Sequence, residues 1–224
     1  MIIKNTIQLQ IFLLIIFSVF FSCKKSDPVI YPQTLKRTAL VQKTGVRLYV
    51  YGGKEIKDKD VINKFIWIYY ADYFNITDSK NDTSYVTFMS KDSARFGNMD
   101  YDKYSVVKSN NRFLFYSNFD QYGSTSKNVP RLFLFAADST AIPPHTGYEY
   151  VTKSVRVAYG NFNEMRFSMV AYQFVHHDAP YPLPGNSTFK GGIEPNEFDS
   201  RSIYSLKKYD TLAVQEYIVI YKKQ

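Results

Sequence analysis

Val155-Arg156-Val157-Ala158-Tyr159, then Gly160-Asn161-Phe162-Asn163, then Met165-Arg166-Phe167-Ser168-Met169 is the stretch that decides the fold. Val155 and Val157 stand opposite Arg156, and Met165, Phe167 and Met169 stand opposite Arg166 and Ser168. Side chains on a strand point alternately to opposite faces, so each half reads as a half-buried strand. Gly and Asn tolerate the backbone conformations of a tight turn, so 160–163 folds one strand back on the other as an antiparallel hairpin.

The same pattern recurs on both sides. The first strand extends back to 148 and the second on to 175. Upstream, Val46-Arg47-Leu48-Tyr49-Val50-Tyr51 alternates and ends at Gly52-Gly53. Strands are expected at 84–89, 103–108 and 112–116, the last two joined by a hairpin at Ser109-Asn110-Asn111. Residues 131–135 carry an unbroken apolar run after Arg131 and predict a strand buried on both faces. Further strands are expected at 203–207 and 212–221. Residues 75–82, 91–98, 119–128, 138–147 and 176–199 read as loops. One short helix is expected from about Asp60: Asp58 can cap it, and Val61, Ile62, Phe65, Ile66 and Tyr69 fall at helical spacing. Its second half is rich in β-formers, which leaves open a passage into a strand.

This is a mainly β chain of about nine or ten strands with at most one short helix. Hairpin-type turns at regular spacing point to a single antiparallel β-barrel, lipocalin-like, or a β-sandwich. The barrel is preferred because closure removes exposed edges. A membrane-spanning barrel is disfavoured, since 131–135 lacks the alternation that such strands carry.

The N-terminus has a different character. Lys4 precedes an apolar run, 11–21, broken only by Ser18. Its length suits the apolar region of a secretory signal and falls short of the roughly 20 residues a spanning helix needs. Phe20-Phe21-Ser22-Cys23 follows, then Lys24 and Lys25. This tetrad resembles the lipobox of bacterial lipoproteins. Ser22 is the small residue before the cut, and Phe20 stands where Leu is usual. With lysines after the cysteine it is similar to lipobox-bearing lipoproteins of the Bacteroidota. The resemblance covers only the first 25 or so residues. It implies that Cys23 is acylated and becomes the new N-terminus, and that the protein sits on the outer membrane, on its periplasmic or cell-surface face. The expected organisation is a signal peptide at 1–22, a lipidated tether at 23–34 and a single β domain at 35–224. Two or three acyl chains make a stable anchor.

Composition narrows the rest. The chain carries 28 Lys and Arg against 20 Asp and Glu, a formal +8. Removing the signal takes away Lys4 alone and leaves +7. The cations are scattered and the signal exports the protein, so attraction to anionic glycans or lipids is expected rather than nucleic-acid binding. Cys23 is the single cysteine, so no disulfide forms within the chain. Packing must carry stability, and 20 Tyr, 18 Phe and one Trp supply the apolar area.

Few residues carry chemistry. His176-His177-Asp178 is the one cluster of metal-ligand types, and His145 is the remaining histidine. Up-and-down connectivity would bring all three histidines to one end of the sheet. Neighbouring strand residues point to opposite faces, so His176 and His177 do not chelate together unless the backbone has turned. No metal and no cofactor are expected. Asp100 and Asp102 read as solvated turn residues, and there is no G-x-S-x-G elbow or phosphate loop. A hydrolase therefore has no positive support. The expected function is a binding or accessory module for a small apolar ligand, a glycan or an envelope protein partner, or else a structural subunit of an envelope complex. The candidate ligand-binding residues are His145, His176, His177, Tyr181, Phe189 and Arg201, gathered around the Pro- and Gly-containing stretch 176–199.

Overall fold

The computed structural model describes residues 29–77, 84–97, 103–123, 130–135, 140–141, 150–178 and 187–224. In chain order the elements are β1 (Gln33–Gln42), β2 (Arg47–Val50), β3 (Lys54–Ile56), α1 (Lys59–Ile68), β4 (Tyr85–Ser90), β5 (Ser93–Phe96), β6 (Lys103–Ser109), β7 (Arg112–Ser117), β8 (Gln121–Gly123), β9 (Thr140–Ala141), β10 (Tyr150–Thr152), β11 (Val155–Gly160), β12 (Glu164–His177), β13 (Ser187–Glu194) and β14 (Asp210–Lys223). Tyr31–Gln224 forms one compact unit, and it holds all of these elements and all three core clusters.

Eight strands close a barrel in the order β1-β4-β5-β6-β7-β11-β12-β14, and β14 returns to pair with β1. Every neighbouring pair is antiparallel. The chain meanders up and down, with three insertions: β2-β3-α1 after β1, the β8-β10-β9 sheet after β7, and β13 after β12. At one end, the turn end, the connections are tight. They are Lys91-Asp92, Asn110-Asn111 with Asn110 at φ 56°, and 160–163, where a methyl on Gly160 (φ 121°) would run into the Glu164 carbonyl. β1 also starts here: Gln33 Nε2 donates to the Phe162 carbonyl, and Tyr31 packs edge-on against the Phe162 ring.

Residue alternation decides what fills the barrel. Leu35, Val86, Phe88, Phe96, Val106, Phe113, Phe115, Met165, Phe167 and Tyr221 all turn inward to one buried cluster. The wall turns Lys36, Thr38, Lys103 and Ser105 outward. Apolar lumen and polar wall are the reverse of a membrane-spanning barrel. Among the described residues no helix is long and apolar enough to cross a membrane.

β12 and β14 are too long for the barrel. Their register runs from Glu164↔Lys222 to His176↔Asp210 without a shift, so the pair continues past the barrel as a ribbon. β13 extends it on one side, and β2 and β3 on the other. Both faces of the ribbon are covered. One face packs Ala171, Ala213 and Tyr217 against Ala71, Phe74 and the Ile62, Phe65 and Ile66 stripe of α1. The other packs Val170, Tyr172, Phe174, Leu212 and Val214 against Leu132, Phe198, Ile203 and Leu206.

Several expectations change here. Residues 131–135 do not form a strand. Phe133 makes a single bridge to Phe198, and Leu132 is spent covering the ribbon rather than joining a sheet. Residues 148–159 are not one strand: the ladder breaks at Lys153 and Ser154, with β10 in the small sheet and β11 in the barrel. The stretch 176–199 is not a continuous loop, because β13 occupies much of it. Loops expected at 91–98 and 119–128 contain β5 and β8. Residues 203–207 lie in and beyond a 3-10 turn, Ser200–Ser205, not in a strand. β1 begins at Gln33, inside the stretch read as tether. The helix stays helical to Ile68, started by the Asp58 carboxylate accepting from the Asp60 and Val61 amides, a cap worth about 1 kcal/mol.

Candidate functional site

Aromatic rings pack the inside of the barrel. Phe115 lies 5.8 Å from Phe88, 5.6 Å from Phe96 and 5.2 Å from Phe167, centroid to centroid. Phe162 seals the turn end at 5.0 Å from Phe88, and Tyr221 meets Phe167 edge-on at 5.2 Å. Arg156 lies over Phe96 at 4.4 Å and donates to the Tyr104 hydroxyl at 3.0 Å. These are edge-to-face and tilted ring pairs, each contributing about 0.5–1.5 kcal/mol beyond the area buried.

The candidates among the described residues, His176, His177, Phe189 and Arg201, lie instead at the far end of the ribbon. Cys23, His145 and Tyr181 lie outside the described residues. His176 and His177 end β12 and point to opposite faces. His176 Nδ1 is 2.6 Å from Asp210 Oδ1 and its Nε2 is 3.2 Å from Asp178 Oδ1. Asp210 is almost fully buried, and its Oδ2 accepts from the Lys207 amide at 2.6 Å. The pair thus pins the turn before β14 onto the end of β12. His177 Nε2 sits 3.1 Å from the Tyr69 hydroxyl, at the end of α1. Among the described residues no group of three or more His, Cys, Asp or Glu could hold a metal ion.

Phe189 stands opposite Val175 on β13 and is 70 % exposed. Arg201 is committed locally: its Nε and Nη2 each lie 2.8 Å from the Asp199 carboxylate, which caps the 3-10 turn. That guanidinium holds the Asp199 carboxyl below its usual range. Removing Asp210 strands two donors, at roughly 1–3 kcal/mol each when buried. Asp210→Ala is therefore expected to lower stability by about 2–4 kcal/mol in urea denaturation. Arg201→Ala, on an exposed ion pair, is expected to change it by less than about 1 kcal/mol.

Residues that the sequence reading passed over define this end better. Trp67 is 74 % exposed and Tyr70 is 84 % exposed, in the turn that ends α1. The Tyr70 amide donates to the Trp67 carbonyl at 3.2 Å, which places the two in one turn. Tyr51 and Tyr204 are also exposed, with the Tyr204 ring lying against Gly53. The signal was present: Trp67 falls off the Ile62, Phe65, Ile66, Tyr69 stripe, so a helix must turn it outward.

Behind these rings the ribbon is held by buried polar groups. Gln215 Oε1 accepts from the Asn75 amide at 2.7 Å and from the Tyr217 hydroxyl at 2.5 Å, and its Nε2 donates to Asn75 Oδ1 at 3.1 Å. Tyr73 donates to Gln173 Oε1, and burial, with Asp72 nearby, pushes its hydroxyl pKa up to about 12. Burial also pushes the Glu194 carboxyl up, against the opposing pull of Lys190 and Arg156. A carboxyl raised in the folded state stabilises below its unfolded pKa and loses that contribution as pH rises through the folded value. Glu194→Gln is thus expected to raise the melting temperature at pH 7, with the gain vanishing below pH ~4 as both states of the parent become protonated.

No family model, curated protein or solved structure matches the chain.

Proposed function

We propose that this protein is a membrane-anchored extracytoplasmic lipoprotein, held through acylated Cys23, that works as an accessory module binding an envelope protein partner. The partner surface in this reading is the far end of the ribbon, around Trp67 and Tyr70, and not the lumen. One observation carries it. The domain buries rings densely in its barrel, yet leaves its single Trp and a neighbouring Tyr in water at the end of α1. Trp and Tyr are the residues that most often anchor protein interfaces, because they bury large area at little rotamer cost. The filled lumen weighs against a small apolar ligand inside the barrel.

The experiment has two arms. Envelope complexes are purified with the parent protein and with Trp67→Ala/Tyr70→Ala. A stoichiometric protein partner held by the parent and lost from the double variant, with an unchanged melting temperature, supports the reading. A partner retained equally by both overturns the surface. An oligosaccharide panel titrated against Trp67 emission separates a glycan, which would stack on the same rings. For the anchor, Cys23→Ala is followed by acyl labelling and fractionation. If it still partitions with the outer membrane at mature size, the anchored reading is wrong.

A further inference from the structure

We infer that the turn end of the barrel is a cationic face that lies against anionic phospholipid headgroups. It carries Lys36, Lys91, Lys108, Arg166, Lys222 and Lys223, all exposed, with Arg112 half-buried among them, against three carboxylates, Asp92, Glu164 and Glu197, the last held by the Tyr159 hydroxyl beside Arg166. Setting aside Lys4, Lys24, Lys25 and Asp27, the 28 cationic and 20 acidic residues leave a formal +6 from Tyr31 onward. The turn end holds +4 of that in a handful of short turns and strand ends. Glu164 is shared by Arg166 at 2.9 Å and Lys222 at 3.2 Å, so it neutralises one charge of two. Lys36 and Lys222 face each other across the β1–β14 ladder, with Lys223 next along. Like charges side by side disfavour each other in water, and an anionic surface relieves that.

The chain direction gives the surface its occupant. Tyr31 and Gln33 close this same end, so the segment leading from Cys23 joins the domain here. Eight residues reach at most about 28 Å. Lys24 and Lys25 add two more cations to that segment. A group of four to eight Lys and Arg beside a bilayer is the size that binds anionic headgroups. The face would fix the orientation of the domain, with Trp67 and Tyr70 directed away from the bilayer.

The inference deepens the anchored reading, and its test does not depend on acylation. The chain from Ser26, which keeps the whole compact unit, is co-sedimented at low salt with vesicles of phosphatidylcholine alone or mixed with phosphatidylglycerol. Binding is expected only to the mixed vesicles. Lys36→Glu/Lys222→Glu/Lys223→Glu is expected to weaken it about tenfold or more. Lys54→Glu/Lys57→Glu/Lys59→Glu, the same change of charge on β3 and the start of α1, away from the turn end, is expected to leave most of it. Lys91→Glu/Lys108→Glu, placed at two separate tight turns, repeats the test should the first variant lose its fold. No binding by the parent, or equal loss in both triple variants, would overturn the inference. Failure of acyl labelling would overturn the anchor and leave this result standing.

Discussion

Phe115→Ala is expected to lose about 3–5 kcal/mol of stability, read as a lower urea midpoint with an unchanged slope. Phe115 is fully buried at the middle of β7, touching rings from three other barrel strands. Truncation removes the transfer energy of the ring and also leaves a cavity. The cavity cannot collapse easily, because β6 and β11 hold β7 on both sides through continuous ladders. Phe115→Leu keeps more than half of the volume and should lose clearly less. A loss under about 1 kcal/mol for the alanine variant would mean that the lumen holds water or slack, and would reopen it as a ligand site.

The second large effect is expected at Gln215. This side chain is fully enclosed and joins Thr44, Asn75 and Tyr217. Gln215→Leu keeps the volume and removes every bond. It leaves the buried Tyr217 hydroxyl without its acceptor and the Asn75 amide without its partner, at roughly 1–3 kcal/mol for a buried group and less for the exposed Asn75. A total near 2–4 kcal/mol is expected. The loss should also be local in character, since residues 71–76 fasten the end of α1 to the ribbon. Trp67 emission should therefore change at lower urea than the far-ultraviolet signal of the barrel. Tyr217→Phe removes only the hydroxyl that receives the Ile76 amide at 3.1 Å, and serves as the milder control. Coincident transitions in Gln215→Leu would show that the helix has no looser attachment of its own.

The barrel was legible where alternation was clean. In β7, Phe113 and Phe115 face inward with Leu114 and Tyr116 half-exposed, and the Asn110-Asn111 turn names the hairpin. The 160–163 turn was equally plain. Alternation failed where the sheet gains a second covered face. From Val170 to Val175 every residue of β12 is buried, because α1 lies on one side and residues 198–206 on the other. Periodicity along one strand cannot say which segments will provide such covers. Residues 131–135 looked like a central strand for that reason: an apolar run serves equally well as a lid. β1 was missed because Gln33, Lys36, Arg37 and Thr38 dilute its pattern and a bulge between Arg37 and Ala39 shifts it. At the site, the histidines were placed together by connectivity alone, and the ladder puts His176 and His177 at one strand end. Their partners were not legible, since Asp210 lies 34 positions away and Tyr69 lies 108 away. Trp67 was harder to place, because the run 65–70 is rich in β-formers and suits a strand as well as a helix.

The run of β14 along the whole length of the domain, paired with both β1 and β12, has a mechanical side. A pull between Tyr31 at the turn end and the far end of the ribbon acts along β1 and β14, and the seven matched residue pairs between them lie across the force and are loaded in shear. Loaded that way, the hydrogen bonds of the ladder share the strain and must yield together. The same bonds pulled across the strands would open one after another. A domain whose chain enters at one end and whose exposed rings sit at the other is thus built to stay closed under tension along its length.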